Sequence, residues 1–403
     1  MRVLIAGGGV GGLTLALMLH RRGIACTVLE AAPAVRELGV GINSLPHCVA
    51  EWAALDLLGP LDAIGIRTRE LRYLNQFGQL MWAEPRGLLA GHPQPQLSLH
   101  RGRLHGVLWQ AAAQRLPPGS LRLNQRLAGV TQQASGVTAH LADGTTQHGD
   151  VLVGADGIHS GLRALLHPDD GGIRWQGILM WRGAVDWPVF ETGDVMFIAG
   201  DLKAKLVFYP VGPGSTPAHR LTNWAIYARV GTSATPPPRE DWSRRGRLRD
   251  VLPLARRMKL PFLDAEALVR ASPQRLEYPM CDRDPLPWWT QGRVTLLGDA
   301  AHPMYPVGSN GASQAVLDAR CLADALAAAP PEAALRAYEA ERRPKTAAIT
   351  ASNRQGGPER VLDVVATLAP KGFARIEDVI APEELAGIVG GYARLAGFAA
   401  PPR

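Results

Sequence analysis

Apolar and polar positions recur along this chain with two periods, and the places where the period changes divide it into elements. Val3 to Ala6 is a short unbroken apolar run, the pattern of a strand covered on both faces. Gly7 to Gly12 follows, glycine at every position except Val10. Leu13, Ala16, Leu17 and His20 then recur at helical spacing, Arg21 and Arg22 fill the last turn, and Gly23 suits a C-terminal cap. Ala25 to Leu29 is a second strand, ending at Glu30. The chain therefore opens with a β-α-β unit.

Pro- and Gly-rich segments occupy 85–95, and Thr138–Leu141 and Thr145–Gln147 flank Asp143-Gly144, a dipeptide suited to a tight hairpin turn. Asp150 to Val153 is another buried strand, with Gly154-Ala155-Asp156-Gly157 and a helix behind it. Between 175 and 230 the pattern changes to short aromatic and β-branched runs: Ile178–Trp181, Val195–Ile198, Leu206–Tyr209 and Asn223–Tyr227. These predict a β-sheet, with loops at 214–219 and 232–239, before helical spacing resumes over 241–260. Gly292 to Asp299 is one more strand and turn. Ala312–Ala329 reads as a helix carrying Leu317, Cys321 and Ala325 on one face, Glu332–Arg343 as a second, and 359–398 as surface helices. No internal repeat is present. The fold class expected is α/β: a Rossmann-like domain interrupted by a β-sheet domain, with a C-terminal helical tail.

Composition adds bounds. The 403 residues suffice for about two domains, and 46% hydrophobic with 20% charged residues is an ordinary globular mix. No apolar stretch is long enough for a membrane span, and neither a span nor a signal peptide is expected. Cys26, Cys48, Cys281 and Cys321 are scattered, which predicts reduced thiols in a cytoplasmic protein. No His/Cys cluster has zinc spacing; His100 and His105 fall on different helix faces, so no metal is expected. The net charge of +7 is diffuse and almost all arginine, the lysines being Lys203, Lys205, Lys259, Lys345 and Lys371. Without a basic face interleaved with aromatics, nucleic acid is not an expected partner. The field would attract anions such as a reduced nicotinamide nucleotide or a carboxylated substrate.

The chemistry is carried by motifs. In Gly7-x-Gly9-x-x-Gly12, Gly7 permits a tight turn, Gly9 lets backbone approach a pyrophosphate, and Gly12 allows close helix–strand packing. The helix start offers free N–H groups and positive dipole to phosphates. Glu30, 18 residues past Gly12, is placed to bond ribose hydroxyls. The motif alone does not separate FAD from NAD.

Two later stretches do. Val151-Leu152-Val153-Gly154-Ala155-Asp156-Gly157-Ile158-His159-Ser160 and Arg293-Val294-Thr295-Leu296-Leu297-Gly298-Asp299-Ala300-Ala301-His302-Pro303 resemble the second and third fingerprints of the para-hydroxybenzoate hydroxylase class (group A) of FAD-dependent aromatic monooxygenases. Within it, Leu38-Gly39-Val40-Gly41-Ile42-Asn43, Glu84-Pro85-Arg86-Gly87, Met180-Trp181-Arg182-Gly183 and Tyr278-Pro279-Met280 resemble the 5-methylphenazine-1-carboxylate 1-monooxygenases of phenazine biosynthesis. Met304, Val307 and Ser309 depart from that family's pattern near the flavin ring. The resemblance implies Asp156-Gly157 near the pyrophosphates, Asp299 on a ribityl hydroxyl with Gly298 close to the cofactor, Arg101 at the flavin phosphates and Arg36 in a mobile loop beside the flavin. Gly308, Asn310 and Gly311 would face the ring from a helix start, where positive dipole stabilises negative charge. Asn310 equally suits an ordinary N-cap.

It also implies a division: 1–72, 98–172 and 270–356 as the FAD-binding domain, 73–97 and 173–269 as the substrate domain, and 357–403 as the tail. The implied activity uses FAD, NADH or NADPH, and O2 to hydroxylate a small aromatic or heteroaromatic substrate through a flavin hydroperoxide. Decarboxylation accompanies it where the attacked carbon bears a carboxylate. Tyr209, Tyr305 and Pro306 are the candidate residues facing the reacting atoms, and Trp224, Tyr278 and Met304 the candidate substrate pocket. Each lone aromatic has a competing reading as core. His302 reads as a packing and positioning residue, and no proton relay is legible. The competing functions are a salicylate- or hydroxybenzoate-type hydroxylase, a flavin oxidase or dehydrogenase without oxygen insertion, and a flavin-sequestering protein. The expected assembly is a monomer or homodimer.

Overall fold

The computed structural model describes residues 1–37, 39–234 and 244–399. Most of the loop expected at 232–239, and the start of the helical stretch expected from 241, lie outside them. Arg2–Ala6 is the middle of a five-stranded parallel sheet, in the order Val294–Leu296, Val151–Gly154, Arg2–Ala6, Ala25–Leu29, Leu121–Arg122. Four of these strands are apolar runs because helices cover the sheet. Val10–Arg21 is buried along most of its length and packs against Gly311–Ala328 and Arg101–Arg115. This sheet and its helices form one apolar core.

A seven-stranded sheet stands beside it, in the order Leu276–Arg283, Ile173–Pro188, His219–Arg229, Ala204–Pro213, Val195–Gly200, Glu70–Asn75, Leu80–Pro85. Only Val195–Gly200 and Glu70–Asn75 pair in parallel. Side chains alternate across it. Trp181, Phe208, Trp224 and Ile226 pack on one face with the helices Leu248–Ala255 and Ala265–Ala271. Met180, Arg182, Val207, Tyr209, Asn223 and Ala225 line the other face, towards the first domain. Leu276–Arg283 thus sits with this sheet, although it falls within the span 270–356 expected for the FAD-binding domain. Its interior positions are all buried, so no alternation marks it as a sheet strand in the sequence.

The C-terminal segment is not merely a set of surface helices. Val361, Leu362 and Val365 from Arg360–Leu368, and Leu385 and Val389 from Pro382–Ala396, bury against Leu71, Tyr73, Met196 and Tyr209 of the sheet. The Tyr392 hydroxyl donates to the Val307 carbonyl at 3.2 Å, tying the last helix to the loop in front of Gly311–Ala328. None of the four cysteines forms a disulfide. No helix among the described residues is long and apolar enough to cross a membrane.

Candidate active site

The three glycines of the first motif answer different constraints. Gly7 has φ +110°, and a Cβ there would stand 2.3 Å from the Ala155 carbonyl oxygen. A Cβ on Gly12 would stand 2.1 Å from the Gly7 carbonyl oxygen. Gly9 is the opposite case: a Cβ there meets nothing within 4 Å, so its backbone borders open space. Gly9 is also the N-cap of Val10–Arg21, which leaves that helix's first amides free. Behind the turn, Glu30 accepts from the amides of Gly8 and Ala32, each at 2.7 Å. Open space over Gly9, free amides and an adjacent carboxylate fit a dinucleotide whose pyrophosphate lies on the helix end.

The second motif turns out of Val151–Gly154. Asp156 Oδ2 accepts from the amides of Gly161 (2.8 Å) and Leu162 (3.3 Å), fastening the start of Gly161–Leu166, and Oδ1 is buried without a partner. Burial raises this carboxyl despite those bonds. Gly157, at φ +79°, has open space where a Cβ would stand. Arg163 escaped the sequence reading. It is fully buried and donates to the carbonyls of Ala301 and Asp284 (both 3.0 Å) and to Asp170 (2.6 Å), so it locks the second motif to the third. An arginine in the short apolar helix just after the motif was the available signal.

The third motif rests on a buried charge cluster. Asp318 Oδ2 accepts from the Gly298 amide at 3.1 Å and lies 2.5 Å from His302 Nε2, while Arg342 Nε donates to Oδ1 at 2.7 Å. Burial alone would raise the Asp318 carboxyl, but His302 and Arg342 bring it down to about 2. Beyond this turn, Gly308 and Ser309 both take positive φ, +69° and +55°. Asn310 is the N-cap of Gly311–Ala328 without making a side-chain cap; its amide nitrogen donates to the Tyr392 hydroxyl at 3.2 Å instead.

These turns and the inner face of the seven-stranded sheet enclose a cavity of about 420 Å³, within the size range of small-molecule sites. Gly9, Arg101, Gly157, Gly298, Asp299, Gly308, Asn310 and Gly311 border it, as do Tyr209, Tyr278, Met304 and Pro306. Gly7, Gly12 and Glu30 stand behind that wall. Arg36 is exposed and Asp156 caps a helix, and neither borders the cavity.

Two expectations are corrected. Trp224 does not belong to the pocket: it is 0% exposed on the opposite face of the sheet, where its indole N–H donates to Ser272 Oγ at 2.6 Å. Its neighbours Asn223 and Ala225 hold the cavity face, as the two-residue period of a strand requires. Tyr305 lies behind the wall, packed with Met180, Tyr278 and Met280.

The cavity also holds residues that the sequence did not single out. Arg182 donates to the Tyr278 hydroxyl (2.8 Å), the Asn223 side-chain oxygen (3.3 Å) and the Gly41 carbonyl. All three are neutral, and no carboxylate among the described residues pairs with it. Gly41 must be glycine here, since a Cβ would come within 2.6 Å of Asn223. Arg86, by contrast, is paired with Glu84. Glu359 and Phe398 complete the wall from the C-terminal segment.

A parallel α/β dinucleotide site facing a mainly antiparallel sheet across a shared cavity defines a flavoprotein of the aromatic hydroxylase type. The chain belongs to the family described as FAD binding domain, whose model matches residues 1–353. It is an FAD-dependent aromatic monooxygenase of the para-hydroxybenzoate hydroxylase class, using NAD(P)H and O2. Among its relatives is phenazine 1,6-dicarboxylic acid hydroxylase from Lysobacter antibioticus, 46% identical over 363 residues, 87% of this chain and 89% of that protein. Another is 3-hydroxybenzoate 6-hydroxylase 1 from Aquipseudomonas alcaligenes, 32% identical over 373 residues, 87% of each. A salicylate hydroxylase substrate complex shares the fold, with a TM-score of 0.74 at 23% identity over 100% of this chain and 98% of that one.

Proposed function

We propose that this enzyme hydroxylates a planar heteroaromatic carboxylate of the phenazine type, with Arg182 receiving the carboxylate. The observation that carries this reading is the cation of Arg182, set in the cavity wall among neutral partners. Holding an uncompensated guanidinium in a largely apolar cavity is costly, and an anionic ligand offsets that cost through charge-assisted hydrogen bonds. Met180, Met196, Ile198 and Val207 supply flat apolar walls for a ring. The 46% identical relative is named for a phenazine dicarboxylate, which agrees with such a ligand.

Bound FAD supplies hydride acceptance and oxygen activation. The chain's own residues hold it and shape the space beside it. In this reading the amides after Gly9 meet the pyrophosphate, Glu30 the ribose, Arg101 the phosphates, and Asp299 the ribityl chain. Pro306, Gly308, Asn310 and Gly311 face the ring, while Tyr209, Tyr278 and Met304 border the substrate. Where the attacked carbon bears the carboxylate, its replacement by hydroxyl releases carbon dioxide. The enzyme acts in the cytoplasm as a monomer or homodimer.

The test is aerobic oxidation of NADH and of NADPH by the purified yellow protein against phenazine, quinoline and benzoate carboxylates, with product masses recorded. Faster oxidation with an oxygenated phenazine product supports the reading. Oxygenation confined to hydroxybenzoates contradicts the ring assignment.

A further inference from the structure

The C-terminal segment places an acid in the cavity wall. Glu359 closes the short turn Gly357–Glu359, which follows Gly356 at φ +93°. The residue borders the cavity and is 5% exposed. The Tyr227 hydroxyl, from the seven-stranded sheet, donates to Glu359 Oε2. The Gly308 backbone, in the loop that faces the flavin in the reading above, lies near the same carboxylate. Lys205 approaches from the neighbouring strand and is held by Asp363 at 2.9 Å. The Asp363 side chain is 37% exposed, so the cluster reaches solvent there. Tyr73 and Tyr392 stand close enough to feel the Glu359 charge, with Arg86 near both.

Burial pushes the Glu359 carboxyl up to about 7, with Lys205 opposing the shift and Asp363 adding to it. A carboxyl that exchanges its proton near neutrality at the wall of an active cavity is suited to acid–base work. The reaction has such work to offer. A ring C–H, O2, NADH and one proton give a ring C–OH, NAD+ and water. That proton comes from solution and must enter a cavity screened from bulk water.

We propose that Glu359, backed by Tyr227 and reached from solvent past Lys205 and Asp363, is the acid that delivers this proton. The O–H bond of Glu359 breaks, its electron pair stays on the carboxylate, and the proton goes to the oxygen atom that leaves as water. Solvent then reprotonates the carboxylate. The inference rests on the oxygenation activity and extends it to a residue outside the three flavin motifs.

Two measurements on the FAD-loaded enzyme decide it. The first is an infrared pH titration of the wild type minus Glu359→Gln, which isolates one carboxyl stretch without any substrate. It should show that carboxyl ionising around pH 7. The second is the pH profile of product formation from phenazine-1-carboxylate. Wild-type turnover should fall above neutrality, Glu359→Gln should lose that limb and be slower by about 100-fold at low pH, and Glu359→Asp should recover a limb. Tyr227→Phe should move the limb without removing it. A carboxyl already charged at ~pH 5, or a limb retained in Glu359→Gln, overturns the proposal. If the band titrates and phenazine-1-carboxylate is not oxygenated, the substrate reading fails, and a ring that is oxygenated takes its place in the profile.

Discussion

Replacing Arg182 by methionine should strengthen the protein and cripple its selectivity at once. In the free enzyme Arg182 is a cation at the cavity wall whose partners are the Tyr278 hydroxyl, the Asn223 side-chain oxygen and the Gly41 carbonyl. Methionine fills similar volume, adds apolar contact beside Met180 and Tyr278, and removes an uncompensated charge. Exchanges of buried charges for apolar residues are commonly neutral or stabilising, so a gain on the order of 1 kcal/mol is expected. The ligand loses a charge-assisted, two-pronged hydrogen bond worth about 1.5–3 kcal/mol. At about 1.4 kcal/mol per decade, that is roughly a 10- to 100-fold rise in KM for a carboxylate substrate. The assay pairs urea unfolding of the holoenzyme with KM for a phenazine carboxylate and for its uncharged carboxamide. The wild type should prefer the carboxylate by a factor of that order, and Arg182→Met should lose the preference while unfolding at higher urea. Equal loss for acid and amide would refute the assignment, because it would mean that Arg182 shapes the pocket and does not read charge.

The glycines of the first motif give a contrast. Gly9→Val should fold normally yet purify pale, because a Cβ there meets only open space, whereas Gly12→Val should fail to fold because its Cβ would strike the Gly7 carbonyl; flavin absorbance and circular dichroism separate the two. Asp299→Ala should lower FAD retention, and a variant as yellow as the parent would count against the ribityl contact. Glu359 should also leave a mark on stability. Its folded pKa is raised, so its contribution is fully present below the ordinary glutamate value and is lost as pH rises through about 7. The wild type should therefore lose ~3 kcal/mol relative to Glu359→Gln across that window, and parallel stability curves would show that the carboxyl is not buried in the charged form. Asp318→Asn should destabilise by about 3–5 kcal/mol by stranding Arg342, read by urea unfolding.

Legibility in the sequence followed the range of the forces. The β-α-β start, the turn at Gly157 and the turn at Gly298-Asp299 were legible because backbone conformation and phosphate access dictate residue type locally. Trp224 was misplaced because a strand's period is two and the sequence does not say which face meets the ligand; Asn223, one residue away, was the cavity residue. Arg182 stands in a segment that the family resemblance singles out, but its lack of a carboxylate partner among the described residues is a three-dimensional fact. Glu359 and Tyr392 were invisible for a similar reason. They come from a tail whose helical spacing reads as surface; packing of its helices on Leu71, Tyr73 and Met196 brings Glu359 into the wall, and Tyr392 stands behind it against Asn310 and Val307. The charge cluster of Asp318, His302 and Arg342 joins positions on separate elements, so no local pattern announces it.

The central claim is oxygen insertion, and the most direct test is single-turnover hydroxylation under isotopically labelled dioxygen. The FAD-loaded enzyme, reduced by NADH or NADPH in the presence of a phenazine carboxylate and then exposed to the labelled gas, should yield a product carrying one labelled oxygen atom, with or without loss of carbon dioxide. A product without label, or reoxidation that leaves every ring unchanged and returns only hydrogen peroxide, would contradict it.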